Sequence, residues 1–110
     1  MRYAECKTAS RIFKALGSES GVRIFDLLRR TKELCVSDIA EEVGLSMSAT
    51  SHQLQKMEAL ELVESVREGR TICYMLKDNS LNQDIAQCLQ TFRAKGRERL
   101  KVGGAKTSNV

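Results

Sequence analysis

The chain has 110 residues, 42% of them hydrophobic, with neither Pro nor Trp; one compact, helix-rich domain is expected, because a core of this size buries only about two-thirds of the unfolded chain's surface. No stretch approaches the ~20 apolar residues of a membrane span, and the opening MRYAECKTASRIFK lacks the apolar run of a signal peptide, so no membrane-spanning helix and a cytoplasmic protein are expected. The net charge of +4 is uneven: residues 1–92 hold 12 basic against 13 acidic side chains, or −1, and residues 93–110 hold 6 against 1, or +5.

In chain order, Ile12, Phe13 and Leu16 give a first helix an apolar stripe that ends at Gly17. Ser18 or Ser20 can cap a second helix with core face Val22, Ile24, Phe25 and Leu28, closed by Arg29, Arg30 and Lys32, whose charges suit a helix C-terminus. A third helix carries Val36, Ile39, Ala40 and Val43 at i, i+3, i+4, i+7. Gly44 supplies a left-handed C-cap and Ser46 an N-cap, so a turn of about three residues leads into a fourth helix. There Met47, Thr50, Leu54 and Met57 should face the third helix.

The pattern then changes to period two. Val63, Ser65 and Arg67 alternate with Leu62, Glu64 and Val66, Glu68-Gly69 reads as a two-residue turn, and Thr71 to Leu76 returns with Ile72, Tyr74 and Leu76 toward the core. A final helix from about Asn79 carries the apolar seam Leu81, Ile85, Cys88, Leu89 and Phe92. So small a domain leaves this seam nothing inside to cover, and a second subunit is its natural cover. The expected fold is mainly α, about five helices with a small β-hairpin wing, over residues 1–100. Residues 101–110 read as a disordered basic tail that aids solubility or adds nonspecific phosphate attraction.

A helix-turn-helix running into a hairpin is the layout of a winged-helix DNA reader. The outward face of the fourth helix presents Ser48, Ser51, His52, Gln55 and Lys56, with Ala49 and Gln53 at its edges, Ser46 at its start and no carboxylate until Glu58. Every polar group there can donate to phosphate or read a base edge, whereas an ordinary solvated face mixes acidic and basic residues. Arg67 and Arg70 bracket the hairpin tip and can reach the backbone or minor groove; charged tips also occur merely for solubility.

The segments ALGSESGVRIFDLL at 15–28, ELCVSDIAEEVGLS at 33–46, SATSHQLQKMEALELV at 48–63 and REGRTICYML at 67–76 resemble the ArsR/SmtB family of dimeric repressors, over roughly residues 9–92. The resemblance implies a homodimer, joined through its first and last helices, on a near-palindromic double-stranded DNA operator that an inducer releases. The family's zinc-type site on the last helix is matched only at Asp78; Ser80, Thr91 and Ala94 stand at its other places, and the sole histidine is His52 on the DNA-reading face, so zinc, cobalt or nickel sensing is not expected.

The family's thiol-metal sensors read Glu-Leu-Cys-Val-Cys-Asp where this chain has Cys35 and then Ser37. Cys35 lies at a helix start, where backbone N–H groups favour thiolate, and Cys6 could complete a site with it, within one chain or across a dimer, for a thiophilic inducer such as arsenite or cadmium. Cys88 reads chiefly as an apolar seam residue and Cys73 as structural or surface. A disulfide or polysulfide link involving Cys88 and Cys35 is the alternative sensing chemistry. A protein-interaction module is a further alternative; an enzyme is not expected, since no catalytic grouping or phosphate loop is present.

Overall fold

The computed structural model describes residues 1–98, with side chains as far as Arg93; the tail at 101–110 lies outside the described residues. The order is α1 (Tyr3–Ala15), α2 (Glu19–Arg30), β1 (Leu34–Cys35), α3 (Val36–Val43), α4 (Met47–Ala59), β2 (Val63–Glu68), β3 (Thr71–Leu76) and α5 (Ser80–Glu98). Met1–Lys77 forms one compact unit, and α5 belongs to a second that begins at Asp78.

The first unit is organised around α2. Ser18 is its N-cap and its Oγ accepts from the Gly21 N–H at 3.1 Å. Ile24, Phe25, Leu27 and Leu28 are buried, so Leu27 joins the expected face while Val22 is only half-buried. Asp26 accepts from both Arg29 and Arg30, at 2.7 Å for the shorter Arg29 bond; burial raises its carboxyl, but these two hydrogen bonds and charges outweigh it and hold the group below the ordinary value. Arg23 reaches across to α3, donating to the Val43 carbonyl at 3.0 Å and the Glu42 carbonyl at 3.2 Å. These are terminal carbonyls that a helix end leaves unpaired. Arg23→Ala is therefore expected to cost about 1–2 kcal/mol, seen as a lower urea midpoint at unchanged slope.

All four expected residues of α3 are buried, Gly44 is left-handed at φ 71°, and Ser46 caps α4 through a 3.0 Å bond from the Ala49 N–H. Thr50, Leu54 and Met57 are fully buried. Met47 is instead 54% exposed: it is the first residue of α4, at the open end of the helix. Phe13 is likewise 74% exposed; Ala15 is the buried residue of α1, and Ile12 and Leu16 are half-buried.

The sheet has three strands in the order β1-β3-β2, all antiparallel, where a two-stranded hairpin was expected. Two-residue β1 is too short to show an alternating pattern, but it pairs Leu34 with Tyr74 and Cys35 with Cys73. Glu68 pairs with Thr71, so the turn is Gly69-Arg70 and not Glu68-Gly69. Gly69 has φ +68° at the first turn position, where a two-residue hairpin loop of the II′ kind selects glycine. As the central strand, β3 is covered on both faces: Cys73 and Tyr74 are both buried, whereas Ile72 and Leu76 are only half-buried.

Between α4 and the wing, Leu62 N–H donates to the Met57 carbonyl at 2.9 Å and Glu61 N–H to the Glu58 carbonyl at 3.0 Å, the paired bonds of a Schellman end. Glu61 takes the left-handed position (φ 65°) that glycine usually fills, and its carboxylate pairs with Lys77 at the end of the wing. In the second unit, Asn79 caps α5, its Oδ1 accepting from the Asn82 N–H at 2.7 Å. Ile85 and Leu89 are half-buried; Leu81, Cys88 and Phe92 are exposed.

Candidate nucleic-acid interface and cysteine cluster

Because Thr50, Leu54 and Met57 fix which side of α4 turns inward, the opposite side is set as well. Ser46, Ser48, Ala49, His52, Gln55 and Lys56 are exposed and Ser51 is half-buried. No acidic residue stands in the first turn of α4, and Lys56 stands in its last. The free N–H groups and positive dipole end at that first turn favour an anion. Gln53 differs from the others: it is half-buried, and its Nε2 donates to the Ala15 carbonyl at 3.4 Å. Its amide thus braces α4 against the end of α1, a role that helical spacing alone does not reveal. Glu58, the carboxylate nearest the face, accepts from Ser65 Oγ at 2.8 Å and is engaged by the wing strand.

On the wing, Arg67 and Arg70 are exposed, Arg67 near the end of β2 and Arg70 in the turn itself. Glu68 lies between them. A side-chain hydrogen bond with Glu68 holds the Glu33 carboxyl above the ordinary carboxylate value, with burial and the Glu68 charge adding to the effect.

The cysteines do not pair as the sequence suggested. Cys35, the N-cap residue of α3, is bonded to Cys73. Cys6 and Cys88 are free and exposed, so Cys35 joins neither of them in this chain. The cause is the β1–β3 register, which sets Cys35 directly opposite Cys73. Only the flanking β-forming residues of LCV and TICYML hint at this across a separation of 38 residues. Side-chain ligand atoms of Glu33, Glu68 and Cys73 lie within 4.8 Å of one another, a cluster that sequence reading missed because its members come from three separate segments.

Comparison with known proteins agrees with this architecture. Residues 18–65 match the family described as bacterial regulatory protein, arsR family. The chain is 37% identical over 93 residues to the transcriptional repressor SmtB homolog of Synechocystis sp., covering 82% of this chain and 70% of that protein. It is 35% identical over 71 residues to the cadmium resistance transcriptional regulatory protein CadC of Listeria innocua, covering 64% of this chain and 60% of CadC. Among solved structures, a homodimeric winged helix-turn-helix DNA-binding domain from Mycobacterium bovis, a possible ArsR-family transcriptional regulator, superposes with a TM-score of 0.71 at 25% identity, covering 89% of this chain and 92% of that one. Among the described residues, no helix is long and apolar enough to cross a membrane. The chain belongs to the arsR family of bacterial regulatory proteins, winged helix-turn-helix regulators of transcription and not enzymes.

Proposed function

We propose that the protein is a homodimeric repressor that binds a near-palindromic operator and leaves it when a thiophilic ion such as cadmium or arsenite reaches its cysteines. The observation that carries the DNA reading is the outward face of α4: a run of donor groups with an anion-favouring N-terminus and no free carboxylate, next to a wing bearing Arg67 and Arg70. Ser46, Ser48, Ala49, Ser51, His52, Gln55 and Lys56 form the reading set, with Gln53 bracing it from the edge. The seam of Leu81, Ile85, Cys88, Leu89 and Phe92, exposed or half-buried along α5, supports dimer formation through the last helix. A two-fold axis then sets two recognition helices about one turn of DNA apart.

Fluorescence anisotropy on DNA from upstream of the protein's own gene tests this. Lys56→Ala and Arg70→Ala are each expected to weaken binding on every sequence and to reduce the salt slope by about 1, as losing a phosphate contact does. Unchanged slopes in both variants would remove these contacts. Cadmium or arsenite should release the reduced protein.

A thiol redox reading is favoured by one observation, the Cys35–Cys73 bond at the start of α3. In that reading the bond's formation or opening is itself the signal. Release by an oxidant and retention with either ion would select it.

A further inference from the structure

We infer that opening the Cys35–Cys73 bond creates a binding site for one thiophilic divalent cation of the cadmium class, with the two sulfurs and the carboxylates of Glu33 and Glu68 as ligands. The inference rests on the reading of Cys35 as a signal-receiving thiol, and it names the other ligands.

Ligand atoms of Glu33, Glu68 and Cys73 already lie within 4.8 Å of one another, and Cys35 Sγ is bonded to Cys73 Sγ. Three donors thus converge from the segment before β1, from the end of β2 and from β3, and Cys35 in β1 is joined to the third of them. A tetrahedral shell with metal–sulfur bonds of about 2.3 Å and metal–oxygen bonds of about 2.0–2.2 Å sets neighbouring donors roughly 3.3–3.8 Å apart. The Glu33, Glu68 and Cys73 atoms therefore need to close by no more than about 1.5 Å, and the two sulfurs to part once their bond is open, movements that side-chain rotation supplies; a larger ion needs less closure. Access is graded: Cys73 is buried, Cys35 and Glu33 are half-buried, and Glu68 is exposed, so a cation enters from the carboxylate side. Two thiolates select a thiophilic ion, and two carboxylates favour a divalent cation that offsets their mutual repulsion.

The chemistry balances with an external thiol reductant. Two equivalents of a thiol R–SH give two electrons and two protons to the disulfide, becoming R–S–S–R and leaving Cys35 and Cys73 as thiols. The cation then displaces both thiol protons into solvent. Disulfide and cation are mutually exclusive occupants of one place. Both tie β1, at the entrance to the helix-turn-helix, to β3, but only the cation engages Glu68, the residue between Arg67 and Arg70. Occupancy by the cation thereby acts on the wing tip.

The test uses the full reduced chain and cadmium alone, read by thiolate-to-cadmium charge-transfer absorption, with affinities from competition against a chelator. One ion per chain is expected. Cys73→Ser should abolish the band, the oxidised chain should show none, and Glu33→Gln and Glu68→Gln should each weaken affinity by about tenfold or more. The two glutamine variants keep side-chain size, and their melting curves check folding. Wild-type affinity in both of them, or binding that survives Cys73→Ser but is lost in Cys6→Ser, would overturn the assignment. DNA anisotropy separates the two levels: cadmium held by these four residues without release from DNA removes the inducer reading and keeps the site. Release that persists in both Cys73→Ser and Glu68→Gln removes the site and keeps the inducer reading.

Discussion

Gly21→Ala is expected to destabilise the protein by about 2–3 kcal/mol, lowering its melting temperature by roughly 10–20 °C. A Cβ at this position would lie 2.1 Å from the Ala15 carbonyl oxygen, 3.0 Å from Ser18 Oγ and 3.1 Å from Gln53 Nε2. The first of these is backbone, so the clash is relieved only by moving the end of α1 away from α2. That movement disturbs the Ser18 cap and pulls on the Gln53 brace together, adding to an overpacking cost of about 1–3 kcal/mol. It outweighs the gain of up to about 1 kcal/mol that alanine brings to a helix. Gly44→Ala is the useful comparison. Nothing lies within 4 Å of its added Cβ, so only the strain at φ +71° is felt, about 1 kcal/mol. Thermal unfolding of both variants decides the point: if Gly21→Ala melts at or above Gly44→Ala, the close packing of the α1–α2 corner on α4 is wrong.

The second large effect concerns the disulfide. Its 38-residue separation encloses α3, the turn, α4 and the outgoing wing strand, the whole helix-turn-helix with the first half of the hairpin. Closing a loop of this length removes denatured-state entropy worth about 4 kcal/mol at 25 °C, and native disulfides typically deliver about 2–4 kcal/mol. Urea unfolding should therefore shift to a clearly lower midpoint when a thiol reductant is added. Cys73→Ser should unfold near the reduced midpoint and be indifferent to reductant. Coincident curves for oxidised and reduced wild type would show that the bond contributes nothing to folding. Against a total stability of about 5–15 kcal/mol, a change of this size is a large share, and at the low end of that range it leaves the reduced protein only marginally folded.

Much of the fold was legible because the elements that matter most carry complete local signals. Val36, Ile39, Ala40 and Val43 repeat with helical spacing, Gly44 and Ser46 are the residues a helix end and a helix start require, and all behave as read. What escaped was non-local. β1 is two residues long, so no period exists to detect, and with it went the third strand, the burial of Cys73 and its bond to Cys35. Periodicity also cannot tell a stripe covered within the chain from one left open, which is why Phe13 and Met47 were assigned inward and stand exposed. The turn was misplaced by one residue because glycine fits either central position of a hairpin loop, and only the Glu68–Thr71 pairing chooses. The outward face of α4 followed from spacing, whereas the bond from Gln53 to Ala15 joins residues 38 apart and leaves no trace in the pattern.

The short link between α4 and the wing bears on which DNA the protein prefers. Leu60 to Leu62 join the two elements with paired backbone bonds, a left-handed Glu61 and an ion pair from that residue to Lys77 at the far end of the hairpin. Recognition helix and wing are consequently held at one angle, with no slack residues to adjust it. Where the groove spacing of a given duplex does not match that angle, the duplex has to give way. On the proposed reading, base steps that bend or narrow at low cost would then be favoured at positions the protein never touches, and the duplex's flexibility would choose part of the operator's sequence.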